Sequence, residues 1–157
     1  MRKLYFDIDG TLLVLDTGLP KPALARGRLE RAIREARIDE LVCVGNFVEV
    51  IRTLRTVRPE YDGLAAIFAL CRGVFLDETW FRRLTRLILD PWLRAAEVDL
   101  EADWWYMDDQ AERYFFNAGR AELMRQHLGE RILQPSPSGD GTDVLEWLQV
   151  VASRSAP

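Results

Sequence analysis

The sequence predicts an α/β protein: a parallel sheet of short buried strands with helices on both faces. Three observations carry this. Four apolar runs, 4–8, 41–44, 104–107 and Ile132–Leu133, are too short for helices and lack the alternation of a half-solvated strand, as expected for strands buried on both faces. Amphipathic helical patterns lie between them. The chain has 157 residues, of which 48% are hydrophobic and 29% charged, enough for one core and not for two large domains. A single domain over 1–157 is therefore expected.

The elements follow in order. Strand 4–8 is closed by Asp9-Gly10. Residues 11–22 carry Gly18, Pro20 and Pro22 and read as a loop or small hairpin, and 24–36 shows leucine, alanine and isoleucine at helical spacing. The stretch 11–40 is thus a small flap and a helix. Strand 41–44 is broken by Gly45-Asn46, after which Val48, Ile51 and Leu54 continue at helical spacing. The stretch 47–103 reads as a helical elaboration, with helices near 64–71, 78–89 and 91–96 separated by Pro59, Gly73 and Pro91. Strand 104–107 ends in Asp108-Asp109, a helix is predicted over 117–128 with Gly129 as its stop, and Asp143 with Glu146 forms a capping box for a last helix over 144–151. Tyr114, Phe115 and Phe116 are expected to pack on the sheet, and Trp80, Phe81 and Trp92 in the central helices.

Composition narrows the function classes. The 21 basic and 25 acidic residues give a net charge of -4, which leaves nucleic acid unsupported as a partner because phosphate contacts need clustered positive charge. The three apolar residues after Met1-Arg2-Lys3 are cut off by Asp7, so no signal-peptide core forms, and no window approaches the roughly 18 apolar residues of a membrane helix. A cytoplasmic protein without membrane association is expected. Cys43 and Cys71 lie in apolar stretches without metal-ligand spacing, and read as buried thiols. Of the basic residues 19 are arginine; the lysines are Lys3 and Lys21.

Two carboxylate pairs sit at the carboxyl ends of strands, where parallel sheets bind ligands: Asp7 and Asp9 after the first, Asp108 and Asp109 after the third. Clustered carboxylates repel one another unless something positive compensates, which points to a hard cation such as Mg²⁺. Asp7 stands inside its apolar run, where a charge is costly without a partner.

Phe6-Asp7-Ile8-Asp9-Gly10-Thr11-Leu12-Leu13 resembles the first motif, DxDGTL, of the haloacid dehalogenase-like (HAD) phosphohydrolase superfamily, and Trp104 to Asp109 resembles its fourth, an apolar strand ending in two aspartates. The resemblance implies a three-layer, Rossmann-type fold and a phosphatase. Asp7 would be the nucleophile that forms an aspartyl-phosphate, and Asp9 the acid and base. Mg²⁺ would be held by Asp7, Asp108, Asp109 and the backbone carbonyl of Asp9, with Thr11 among the phosphate contacts. Two motifs depart from the family. Where its second motif ends in Thr or Ser, this chain has Gly45-Asn46, whose backbone N–H groups and amide are the available phosphate donors, although Asn46 with Glu49 also fits a helix cap. Where its third motif has a lysine there is none; Arg82, Arg83, Arg86 and Arg94 lie upstream of Asp108, with Arg94 closest to the expected place.

The resemblance leaves no room for a large cap domain. A lidless site suits a bulky or macromolecular phosphoester as readily as a small one, or a homo-oligomer whose neighbouring subunit supplies the lid. Two functions stay open: a Mg²⁺-dependent phosphomonoester hydrolase, and a degenerate relative that binds metal or phosphate as a binding or assembly module.

Overall fold

The computed structural model describes residues 1–25, 27–44 and 91–154, with the side chains of residues 91 and 92 outside the description. Four parallel strands, β1 (Arg2–Phe6), β2 (Glu40–Cys43), β3 (Asp103–Met107) and β4 (Ile132–Leu133), form one sheet in the order β2-β1-β3-β4. The helices are α1 (Arg28–Glu35), α2 (Ala111–Asn117), α3 (Ala121–His127) and α4 (Thr142–Ser153), with 3₁₀ segments at Pro22–Leu24 and Pro91–Glu97. Among the described residues no helix is long and apolar enough to cross a membrane.

The chain leaves β1 for β2 on one side and crosses back to β3 on the other. A right-handed crossover preference then sends α1 to one face of the sheet and α2–α3 to the opposite face. Strand side chains divide accordingly. Leu4, Phe6, Leu41, Cys43, Trp105 and Met107 pack with α1 and α4, whereas Tyr5, Val42, Trp104, Tyr106 and Ile132 pack with α2 and α3. Each strand therefore buries alternate residues in two separate apolar clusters, which is why its sequence reads as an unbroken apolar run. Trp105, 2% exposed, stacks edge-on against Trp147 of α4 at 5.9 Å between ring centres and anchors the first cluster.

Several expected boundaries move. The first strand begins at Arg2, opposite Asp103, and stops at Phe6, because the Ile8 carbonyl turns to accept the N–H groups of Leu12 (2.9 Å) and Leu13 (3.0 Å). The expected helix 24–36 is split. Pro22 starts a 3₁₀ turn, Ala25 is extended, and Gly27 at φ 73 caps α1. The expected helix 117–128 is present as α3 but starts at Ala121, since Gly119 at φ 70 ends the turn after α2, a preceding helix over Ala111–Asn117 that is not among the expected elements. The segment 91–96 is 3₁₀ rather than α. Helix α4 starts at Thr142 behind Gly141, not at a capping box: Asp143 accepts instead from the Ser136 and Val144 N–H groups (3.0 and 2.9 Å). Phe116 is 71% exposed and does not join Tyr114 and Phe115 in the core. The expected helices at 64–71 and 78–89, together with Cys71, Trp80 and Phe81, lie outside the described residues, as does the Trp92 side chain.

Residues 11–22, expected as a loop or small hairpin, take the hairpin form. Its two limbs meet through Val14 N–H to the Leu19 carbonyl (2.8 Å) and Lys21 N–H to the Leu12 carbonyl (3.0 Å). It is tied to the loop after β4 by Leu15 N–H to the Pro137 carbonyl (3.0 Å).

Candidate functional site

β1 and β3 are the neighbours between which the chain reverses direction across the sheet, so the crevice beyond their carboxyl ends is where an open α/β sheet binds ligands. Phe6 pairs with Met107, which places Asp7 and Asp108 at the mouth of that crevice. The ladder continues one step past the strands: Asp7 N–H donates to the Met107 carbonyl (3.0 Å), Asp108 N–H to the Leu133 carbonyl (3.1 Å) and Val44 N–H to the Phe6 carbonyl (2.8 Å). Because Phe6 and Met107 face α1 and α4, strand alternation directs Asp7 and Asp108 toward the other face, where the 3₁₀ segment 91–97 packs against α2.

Arg94 comes from that segment. Its Nη1 donates to Asp7 Oδ1 at 2.9 Å, and its Nε lies 3.3 Å from Asp108 Oδ2 as an ion pair without hydrogen-bond alignment. The guanidinium carbon sits 3.4 Å from the centre of the Tyr114 ring on α2. Arg120 holds the end of the 3₁₀ segment through Nη1 to the carbonyls of Ala95 (2.9 Å) and Val98 (3.1 Å). Asp108 is fully buried and doubly held, Oδ2 accepting from the Tyr106 hydroxyl (3.0 Å) and Oδ1 from the Gln110 N–H (2.9 Å).

Asp109 is placed by the first-strand loop. Its N–H donates to Thr11 Oγ1 at 2.9 Å, and its carboxylate lies over Gly10, where a Cβ would meet Oδ2 at 2.5 Å. Gly10 also has φ +75, so both the space and the backbone conformation require glycine. Asp7, Asp108 and Asp109 each offer a carboxylate oxygen, all within 4.8 Å of one another. Asp9 is exposed on the turn and its carboxylate is not part of this trio.

Burial pushes the Asp7 carboxyl well above the usual range; the Asp108 charge adds to the shift and Arg94 opposes it. Asp108 is pushed up to about 6 by burial, against the pull of Arg94 and the Gln110 amide. Burial raises Asp109 and Asp9 as well. Among the described residues three carboxylates face one guanidinium, so with all of them ionised this group carries excess negative charge. A purely oxygen donor set with that excess fits a hard divalent cation.

The expected site residues thus fall into three groups. Asp7, Asp108, Asp109 and Arg94 are brought together; Asp9 and Thr11 flank them. Thr11 is fully buried and its hydroxyl accepts from Asp109, so in this structure it fastens the two loops to each other. Gly45, Asn46, Arg82, Arg83 and Arg86 lie outside the described residues.

Three residues went unnoticed in the sequence as parts of this edge. Tyr106 and Tyr114 touch Asp108 and Arg94. Lys21 is fully buried, its Nζ donating to the Ser136 carbonyl at 2.6 Å between the hairpin and the loop after β4. Burial lowers its pKa, while Asp143, Asp109 and Asp140 act the other way. The scarcity of lysine was a signal, but one without a location. Compared with protein-family models, with curated protein sequences and with solved structures, the chain matches none.

Proposed function

We propose that this chain is a HAD-like, Mg²⁺-dependent phosphomonoester hydrolase of three-layer architecture, acting through an aspartyl-phosphate on Asp7. The observation that carries the reading is Asp7 itself: a buried carboxylate at the end of a central strand, 2.9 Å from Arg94 Nη1 and within 4.8 Å of Asp108 and Asp109 oxygens. A carboxylate buried in this way is costly even beside one guanidinium, and perturbed electrostatics of this kind cluster at functional sites.

In the proposed sequence an Asp7 oxygen attacks phosphorus, the bond from phosphorus to the leaving oxygen breaks, and Asp9 gives that oxygen a proton. Asp9 then takes a proton from water as the water oxygen attacks the phosphorus of the aspartyl-phosphate, releasing inorganic phosphate and restoring Asp7. Its exposed place on the turn lets Asp9 reach the substrate, and the upward shift of its carboxyl favours holding a proton for the first step. Arg94 takes the part of the family's lysine, favouring the ionised form of Asp7 against the effect of burial and offering its guanidinium edge to a phosphoryl oxygen. Mg²⁺, held by Asp7, Asp108, Asp109 and the Asp9 carbonyl, would supply the charge neutralisation that lets an anionic nucleophile approach an anionic phosphate.

A second reading keeps the affinity and drops the chemistry. It is favoured by Gly45-Asn46 standing where the family has a hydroxyl. Turnover of an aryl phosphate with and without Mg²⁺, in wild type and Asp7→Asn, separates the two. Mg²⁺-dependent turnover abolished by Asp7→Asn supports the hydrolase; turnover that survives the substitution overturns the mechanism. Metal binding without turnover supports the binding module.

A further inference from the structure

An arginine in a lysine's place has a geometric problem. Lysine presents a compact charge at the end of a flexible stem, whereas a guanidinium is a flat fork that does its work only when its plane is set. Arg94 must direct Nη1 at Asp7 and Nε toward Asp108 at the same time. Those two contacts leave the plane free to rock about the line joining them, the Nε contact lacks hydrogen-bond alignment, and the remaining restraint comes from Tyr114, whose hydroxyl also hydrogen-bonds with Arg94. The feature that defines the plane is the Tyr114 ring, with the guanidinium carbon 3.4 Å from its centre. Tyr114 is buried, and α2, which carries it, begins two residues after Asp109. The ring's position is therefore tied to the carboxylate loop itself.

We propose that Tyr114 is a positioning residue whose ring face holds the Arg94 guanidinium in register with Asp7 and Asp108, and that this ring is what makes arginine serviceable at a place where a lysine would need no such support. The role rests on the phosphatase reading for its consequence in turnover, while its physical content, ring against guanidinium, is independent of it. A stacked cation on an aromatic face is worth roughly 3- to 30-fold in an equilibrium when water is excluded.

The test uses the full chain with Tyr114→Leu, with Tyr114→Phe, and with pentafluorophenylalanine at position 114, which keeps the ring's size and folding while removing its attraction for cations. Arg94→Lys is made alone and with Tyr114→Leu. Three quantities are read: exchange of the Arg94 Nε–H by nuclear magnetic resonance, affinity for inorganic phosphate in the presence of Mg²⁺, and kcat/KM on an aryl phosphate.

The expected result is a loss of about 10-fold in phosphate affinity and faster Nε–H exchange for the leucine and pentafluoro variants relative to Tyr114→Phe, which keeps the ring and gives up only the hydroxyl's bond to Arg94. In the Arg94→Lys background Tyr114→Leu should add little, because the ring acts through the guanidinium. Equal effects of Tyr114→Leu in both backgrounds, or a pentafluoro variant with unchanged exchange and affinity, overturn the proposal. If wild type turns nothing over while Nε–H exchange still follows the ring's character, the hydrolase reading fails and the positioning role stands. If turnover holds and exchange ignores the ring, the reverse is true.

Discussion

The two ends of the sheet use the same residue types to opposite effect. At the amino ends, Asp103 sits between two arginines, Arg2 Nε at 2.7 Å and Arg131 Nη1 at 3.0 Å. Nearby, Lys3 meets Asp99 at 3.1 Å and Glu40 at 3.6 Å. Charges there are matched and partly open to water, and although burial pushes Asp103 upward, its bonds to Arg2 and Arg131 hold it below the usual carboxylate range. At the carboxyl ends, among the described residues, three carboxylates share Arg94 and burial wins, driving Asp7 and Asp108 upward. What separates the two edges is the ratio of cations to carboxylates under burial. One edge supports stability; the other is destabilised in a way that a bound dication and a phosphoryl group would relieve.

The largest expected effect tests the second edge directly. Asp7→Asn should lower kcat/KM on an aryl phosphate by about 10⁴ or more, the scale typical of removing a nucleophile. Its thermal midpoint at pH 7 should hold or rise, because a costly buried charge is gone. A fall in stability comparable to that of a core truncation would show that the two edges do not differ as argued.

Arg94→Met should come next, costing about 3 to 5 kcal/mol at pH 7 by leaving Asp7 and Asp108 without their buried partner. Denaturant unfolding at pH 7 and pH 5 checks it, since protonation of the carboxylates should return part of the loss at pH 5.

The pH dependence has opposite signs at the two edges. Asp108 titrates near 6 when folded and near 3.8 when unfolded, so the folded state binds the extra proton between those values. Its favourable contribution is full below about pH 3.8 and is lost as pH rises to 6, a change of roughly 3 kcal/mol. Asp103, shifted down, contributes above its unfolded pKa and loses that contribution as pH falls through its folded value. Metal-free protein should therefore lose stability between pH 4 and 6, and Mg²⁺ should restore it at pH 7 but not at pH 4. Unfolding curves across that range, with and without Mg²⁺, are the measurement; a metal-free protein that gains stability from pH 4 to 6 would contradict the carboxyl-end electrostatics.

The smallest effect belongs to the amino ends. Arg131→Gln should cost no more than about 1 kcal/mol, because the pair is about one-third exposed and Arg2 still serves Asp103.

Much of this edge was legible in the chain. An apolar run interrupted by aspartate is a local pattern, and it located Asp7, Asp9, Asp108 and Asp109 at strand ends before any strand had been paired. Gly10 followed from the same turn. The choice among Arg82, Arg83, Arg86 and Arg94 was not legible beyond proximity, because four arginines in helical context look alike in sequence; Arg94 is the one among the described residues, and packing buries it. Thr11 shows the same limit: the resemblance places it among the phosphate contacts, and only the fold shows its hydroxyl holding the N–H of Asp109, 98 residues away. Tyr114 was expected to pack as a hydrophobe, and its contact with Arg94 depends on how the 3₁₀ segment 91–97 lies on α2. The late start of α3 within the expected helix 117–128 follows from Gly119, a residue visible in the sequence but outweighed there by the apolar spacing.

The sequence by itself determined where carboxylates meet strand ends, because strand, turn and acidic residue are neighbours in the chain and their pattern is short-range. Tertiary structure alone decided which cation answers them. Arg94 and Asp7 are 87 residues apart, and the bond between them forms only when the two segments are packed on the same face of one sheet. Lys21 teaches the complementary lesson, for the rarest basic residue of an arginine-rich chain is one whose ammonium the fold buries against Ser136, 115 residues on. Charge is written residue by residue, but its compensation under burial is a property of the folded whole.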